Sequence, residues 1–178
     1  MNRKTVALVL ATTFATVGLA ACSASQPEVK LVAQKEVPAP TAVKVPAGNR
    51  MLASFEGNGV QIYQCTAAAW TLLEPAATLS EHGKPVALHF KGPIWVSTVD
   101  GSEVGAAAVP GASVQHANAV PELLLKATEN RGKGQFSDVT YVQRLATRGG
   151  LAPAGACTDG AQTSVQYSAT YTFWTAAK

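Results

Sequence analysis

The sequence predicts a mainly β domain, an antiparallel β-sandwich or barrel with one short α-helix, set behind a signal peptide and a flexible tether. Three observations predict it. Val165, Tyr167, Ala169, Tyr171 and Phe173 alternate with Gln166, Ser168, Thr170 and Thr172, the period of 2 of a half-buried strand rich in aromatic and β-branched residues. Shorter runs of the same kind recur upstream, separated by Gly-containing turns, as in antiparallel sandwiches and barrels. Finally, Cys65 and Cys157 form an even pair once the N-terminal Cys22 is set aside, and an even pair in an exported chain reads as a disulfide.

Export is read from the first residues. Asn2-Arg3-Lys4 is a basic n-region, and Thr5 to Leu19 is a charge-free apolar run. The run is shorter than the roughly 20 residues of a membrane-spanning helix and suits the h-region of a signal peptide. Leu19-Ala20-Ala21-Cys22 then resembles the bacterial lipobox, in which the Cys thiol accepts diacylglycerol and becomes the mature N-terminus; the other reading is plain cleavage after Ala21. Residues 1–21 are therefore expected as a lipoprotein signal peptide, with lipidation at Cys22. The acyl chains would hold the protein to a membrane. Ser23 follows the Cys, where Asp is the enteric signal for the inner membrane, so the expected location is the outer membrane, facing the periplasm. Residues 22–45, with Pro27, Pro38 and Pro40 and scattered charges, hold no apolar period and read as tether. An early edge strand at Val29 to Val32 is the alternative. The β-rich domain is expected over residues 46–178.

Within it, Met51 to Phe55 and Val60 to Thr66 read as strands joined by a tight turn at Asn58-Gly59, a strong hairpin signal. Trp70 to Leu73 and Thr78 to Ser80 read as short edge strands, and His82 falls in a turn, Glu81-His82-Gly83-Lys84. Pro85 to Phe90 and Ile94 to Val99 follow, then a turn at Asp100-Gly101 and a strand from Glu103 to Val109. The helix is expected next, with Asn118 as cap, Pro121 and Glu122 in the first turn, Gly132 as stop, and Leu123, Leu124 and Ala127 facing the sheet. Val139 to Leu145 and Val165 to Thr175 complete the strands. A Cys65–Cys157 bridge would close a loop of about 93 residues and contribute roughly 4–5 kcal/mol in the chain-entropy picture.

Composition narrows function. Lys and Arg number 14 against 11 Asp and Glu, a net charge of +3, but Arg3 and Lys4 belong to the signal segment; without them the balance is 12 against 11. A chain so near neutrality is not expected to bind nucleic acid. No HExxH, GxSxG or strand-borne GxGxxG occurs, and neither Cys65 nor Cys157 has ligand spacing, so no metal and no cofactor are expected. Of three histidines, His116 lies in a polar stretch and His82 in the turn. His89 stands in an alternating run, Val86 to Phe90.

One ordered series of motifs stands out. Val60-Gln61-Ile62-Tyr63-Gln64-Cys65, Trp70, His89-Phe90-Lys91-Gly92-Pro93-Ile94-Trp95 and Asp100-Gly101-Ser102-Glu103-Val104 come first. Val120-Pro121-Glu122-Leu123-Leu124-Leu125, Val139 to Leu145, Thr147, Gly149-Gly150, Pro153, Cys157 and Tyr167 to Phe173 follow. Together these resemble the secreted bacterial and fungal family catalogued as domain of unknown function 3455, over roughly Pro46 to Trp174. That family usually has Trp where Glu122 stands. The resemblance implies an exported single domain and supplies no reaction and no ligand. A malate dehydrogenase label carried by some fungal relatives finds no nucleotide fingerprint here.

Gln143 and Arg144 sit on opposite faces of an apolar strand, so one of them points inward. A buried Arg calls for a carboxylate, which Asp100 or Glu103 could supply. Two readings stay open: an ion pair that sets register, or a polar pocket of His89, Trp95, Asp100, Gln143 and Arg144, with Trp95 as a flat stacking surface. The expected function is a non-enzymatic, lipid-anchored envelope module that binds a small molecule, glycan or protein. The alternative is a small periplasmic hydrolase or lyase using His89 and Asp100. The anchor is directly testable. Cys22→Ser should abolish labelling by a palmitate analogue and leave the precursor uncleaved; equal labelling of both forms would refute it.

Overall fold

A computed structural model of the chain describes residues 37–178. Eight antiparallel strands form one sheet: β1 (Asn49–Thr66), β2 (Ala69–Glu81), β3 (Lys84–Phe90), β4 (Ile94–Ser97), β5 (Glu103–His116), β6 (Ala119–Arg131), β7 (Val139–Gly149) and β8 (Gln162–Ala176). Each pairs with the next, and β8 pairs with β1, so the sheet closes in a ring. The mainly β expectation holds. Among the described residues the only helical element is a 3-10 turn, Thr41–Val43.

The expected helix is a strand, β6. Leu, Glu and Lys favour helix in isolation, but Leu123-Leu124-Leu125 is apolar on both faces because both are covered. Leu123 and Leu125 pack with the interior core. Leu124 packs outside the ring with Val43, Ala112 and Leu145. The end of the expected tether covers this outer cluster: Val37, Ala39 and Val45 pack there beside the fully buried Val43. Residues 1–21, Cys22 and the alternative strand at Val29 to Val32 lie outside the described residues.

The expected hairpin turn at Asn58-Gly59 is also absent. β1 runs straight through it, in register with β2 and β8 at once. Gly57 and Gly59 are there for close approach: a Cβ on Gly57 would sit 2.7 Å from the Tyr171 ring, and one on Gly59 would run into the backbone of Ala76 and Ala77. The two short edge strands expected around Trp70 and Thr78 are parts of one continuous β2: the Thr78 stretch is paired on both sides, whereas the Trp70 stretch pairs with β1 alone and keeps an open edge toward β3. The turns at His82-Gly83 and Asp100-Gly101 and the disulfide are as expected. Cys65 and Cys157 are bonded, with their Cα atoms 5.8 Å apart.

β1 instead turns at Ala67-Ala68, where both residues have positive φ, 52° and 60°. Two consecutive left-handed residues make the type I′ geometry that suits a hairpin, but alanine enters it at a cost of about 1–2 kcal/mol per residue. Neighbouring bonds hold the turn. Asp159 Oδ1 accepts from Ala68 N at 3.3 Å, and Cys65 exchanges backbone bonds with Gly160 and Ala161 beside its disulfide. Replacing the strained pair in the direction of the usual sequence, Ala67→Asn with Ala68→Gly, should therefore raise stability by about 1 kcal/mol. Urea denaturation checks this; a fall in midpoint would refute the strain.

Candidate functional site

The ring is uneven. β3 and β4 have 7 and 4 residues, whereas β1 has 18 and β2 has 13. β2 pairs with β3 only from Ala77 to Glu81, and β5 pairs with β4 only from Glu103 to Gly105. The first half of β2 and the second half of β5 thus face a gap above the β3–β4 hairpin. Pro75 lies on β2 beside that gap and Pro110 on β5, where a residue without an N–H breaks no ladder.

A cavity of about 320 Å³ lies behind the gap. Leu72, Leu73, Glu74 and Pro75 of β2, Lys91-Gly92-Pro93 of the β3–β4 turn, and Ala108 of β5 line it on the gap side. Gln61, His89, Trp95, Leu123, Leu125, Arg144 and Tyr171 line it from within the ring. The ends of the ring are closed by other means. Tyr63 donates its hydroxyl to the Gly150 carbonyl at 2.5 Å, beside the segment that carries Cys157. At the opposite end Phe136, fully buried, packs 4.6 Å from Phe173.

Asp100 serves that second closure. Its Oδ1 accepts from the Ser102 N–H and hydroxyl, and its Oδ2 from Gln135 N, while Ser102 Oγ accepts from Phe136 N. These bonds, led by the Ser102 hydroxyl, hold its pKa down at about 2. Asp100 therefore clamps the β6–β7 loop. It lines neither cavity that His89 lines, so the structure does not bring the two together.

Gln143 also lies elsewhere, on the outer face. It donates to the Val43 carbonyl at 2.7 Å and accepts from Thr172 Oγ1 and Trp174 Nε1, which pins the covering segment to the ring. Of the five expected binding residues, His89, Trp95 and Arg144 share the cavity. Gln61 and Tyr171 join them. Gln61 had a signal: a wide amide in an alternating strand, on the same face as Phe55 and Tyr63.

Arg144 does not have the expected carboxylate. Glu103 pairs with Arg131 instead. Arg144 donates from Nε and Nη2 to the Pro121 carbonyl, at 3.0 and 2.9 Å. That carbonyl is free because the β6–β7 register shifts between Ala119 and Leu123. Glu122 Oε1 takes the Ala146 N–H across the same irregularity. A backbone carbonyl satisfies hydrogen bonds without neutralising the charge. The guanidinium's field reaches Tyr63, His89, Tyr167 and Tyr171. Burial nonetheless raises the Tyr171 hydroxyl well above its usual pKa, with Tyr167 adding to it.

Trp95 offers no open face to a sugar. It is 1% exposed, with His89 stacked at 4.4 Å and 4° and the edges of Tyr171 and Phe173 around it. The pair is cross-strand, His89 opposite Trp95. His89 Nδ1 lies 2.9 Å from the Ile94 carbonyl, which only accepts, so Nδ1 carries the proton and Nε2 is the acceptor. Burial lowers the His89 pKa to about 4, against the bond to Ile94; the Arg144 charge lowers it further. The imidazole is thus neutral near pH 7. Two buried donors on the lining have no partner, Gln61 Nε2 and Trp95 Nε1. Among the described residues no group of three His, Cys, Asp or Glu is placed to hold a metal.

A family model described as protein of unknown function (DUF3455) matches residues 80–175, which takes in His89, Trp95, Arg144 and Tyr171 and leaves Gln61 outside. No curated protein and no solved structure matches significantly.

The buried imidazole makes a pH prediction. The unfolded chain takes up a proton near pH 6.5 and the folded chain only near pH 4. Stability from neutral His89 is therefore complete above pH 6.5 and is lost as pH falls toward 4, by about 3 kcal/mol in all. Urea midpoints at pH 7 and pH 4.5 should fall more steeply in wild type than in His89→Gln; parallel falls would refute this.

Proposed function

The chain belongs to the family of proteins of unknown function DUF3455, and from that premise we propose that it is a non-enzymatic envelope module whose barrel binds a small molecule in the cavity behind the β3–β4 hairpin. The observation that carries the reading is the cavity's lining. Its volume lies at the lower end of the roughly 300–1,000 Å³ of small-molecule sites, which are apolar pockets with a few convergent polar groups. Leucines, two prolines and aromatic rings make up most of it, and two fully buried N–H donors, on Gln61 and Trp95, lack partners. A buried donor left unpaired costs about 1–3 kcal/mol, which a ligand acceptor would recover.

The lipobox at Leu19 to Cys22 and the disulfide support an anchored, exported location, with the ring displayed from the outer membrane. For the alternative of a hydrolase or lyase, Asp100 is engaged by Ser102 and Gln135 and stands apart from His89, whose Nδ1 is held by the Ile94 carbonyl instead.

An uncharged probe tests the pocket. Titration with 2-naphthalenemethanol, followed by NMR, should shift the Trp95 indole N–H and the Gln61 side-chain amide first. Ala108→Trp, at the exposed mouth, should block entry and remove those shifts. Shifts confined to the outer face would refute the reading.

A further inference from the structure

Resting on that reading of the cavity, we propose that its ligand is a monoanion, a small carboxylate with an apolar body, seated with its carboxylate on Arg144 and Gln61. The charge pattern carries the argument. Among the described residues Arg144 is the one cation on the inner wall, and no carboxylate lies within ion-pair distance of it. Pro121 accepts from two of its nitrogens, Nε and Nη2, and the Tyr171 hydroxyl on the same wall is hydrogen-bonded to it as well, so this planar, permanently charged group has only neutral partners. A side chain held only for structure at this register shift would do with a neutral donor. A guanidinium left uncompensated beside an apolar cavity calls for an anion.

Gln61 is the independent observation. It is 1% exposed, lines the same wall, and its Nε2 has no hydrogen-bond partner. One cation and neutral N–H donors match one negative charge shared by two oxygens. They do not match a phosphate dianion, for which neither a second inner cation nor a helix N-terminus is present at the cavity among the described residues. His89, neutral, adds no competing charge, and its Nε2 is an acceptor. Two charged groups sit toward the gap, Glu74 and the exposed Lys91. Glu74 would favour a cation there, which gives the inference a definite rival outcome.

Three probes with one body separate the possibilities: 2-naphthoate, 2-naphthalenemethanol and 2-naphthylmethylammonium, titrated into the full-length protein at pH 7 by calorimetry. Naphthoate should bind at least roughly tenfold tighter than the alcohol, the scale of one charged hydrogen bond, and the ammonium should bind weakest. Arg144→Gln should erase the difference between naphthoate and the alcohol. Because Arg144 also holds the Pro121 carbonyl, that variant has a partner that does not disturb the backbone. Gln61→Leu removes a buried unpaired amide, so it should melt no lower than wild type while the naphthoate advantage shrinks. Equal affinity for naphthoate and the alcohol would overturn the anion inference and leave the pocket standing. Preference for the ammonium would overturn it in favour of Glu74. If none of the three binds, the pocket reading itself falls.

Discussion

A charged side chain inside a closed sheet has to find its hydrogen bonds where the ladder has released them. Arg144 finds them at Pro121, whose carbonyl is freed where the β6–β7 register slips between Ala119 and Leu123. The same slip frees the Ala146 N–H, which Glu122 takes from the outer side of the sheet. One irregularity thus places a cation on the inner wall and a carboxylate on the outer. The positive charge on the cavity wall descends from that slip, and it adds to the burial that already depresses the His89 pKa.

The second constraint is length. A ring whose members were all as long as β1 would close over the space between His89, Tyr171 and Gln61. The short β3–β4 hairpin leaves part of one wall missing, and the cavity opens there. The aromatic cluster below, His89 stacked on Trp95 with Tyr171 edge-on to it, is close-packed and forms the floor. The core therefore divides by height: dry aromatic packing toward Phe136, and a pocket with unpaired donors toward the disulfide end.

Much of this was legible in the residues. Tyr167 to Phe173 alternate plainly, and β8 lies there. Cys65 and Cys157, the even pair that favoured a bridge over free thiols or a metal pair, are bonded. The prolines at 75 and 110 stand where two strands lack a neighbour, a signal that needs the strand pairing before it can be read. Other features were hidden by physics that depends on the whole fold. Leu123-Leu124-Leu125 has helical composition, and only the segment around Val43 makes its outer face buried. Asn58-Gly59 is the usual hairpin dipeptide, yet the glycine answers a steric demand from β2. The actual turn, at Ala67-Ala68, has no turn-forming residue at all. Of the expected site residues, His89 and Arg144 were singled out by the cost of polar groups in a β core and Trp95 by its flat face, and the three line one cavity. Asp100 and Gln143 met the same criterion and serve the loop clamp and the outer pin instead. A buried polar residue announces a network, and only geometry tells a closed network from an open one.

Closing the ring has a kinetic side. β1 pairs along nearly its whole length with β8, so the first strand made must wait for the last. Such non-local pairing makes for slow folding, on the millisecond-to-second side of small domains, and until it happens β1 and β7 each keep an unpaired edge. Cys65 and Cys157 sit one residue inside the end of β1 and five residues before β8. Once joined, they shorten the chain that separates the two waiting strands from most of the domain to a few residues. Oxidation in this protein thus converts its longest search into one of its shortest.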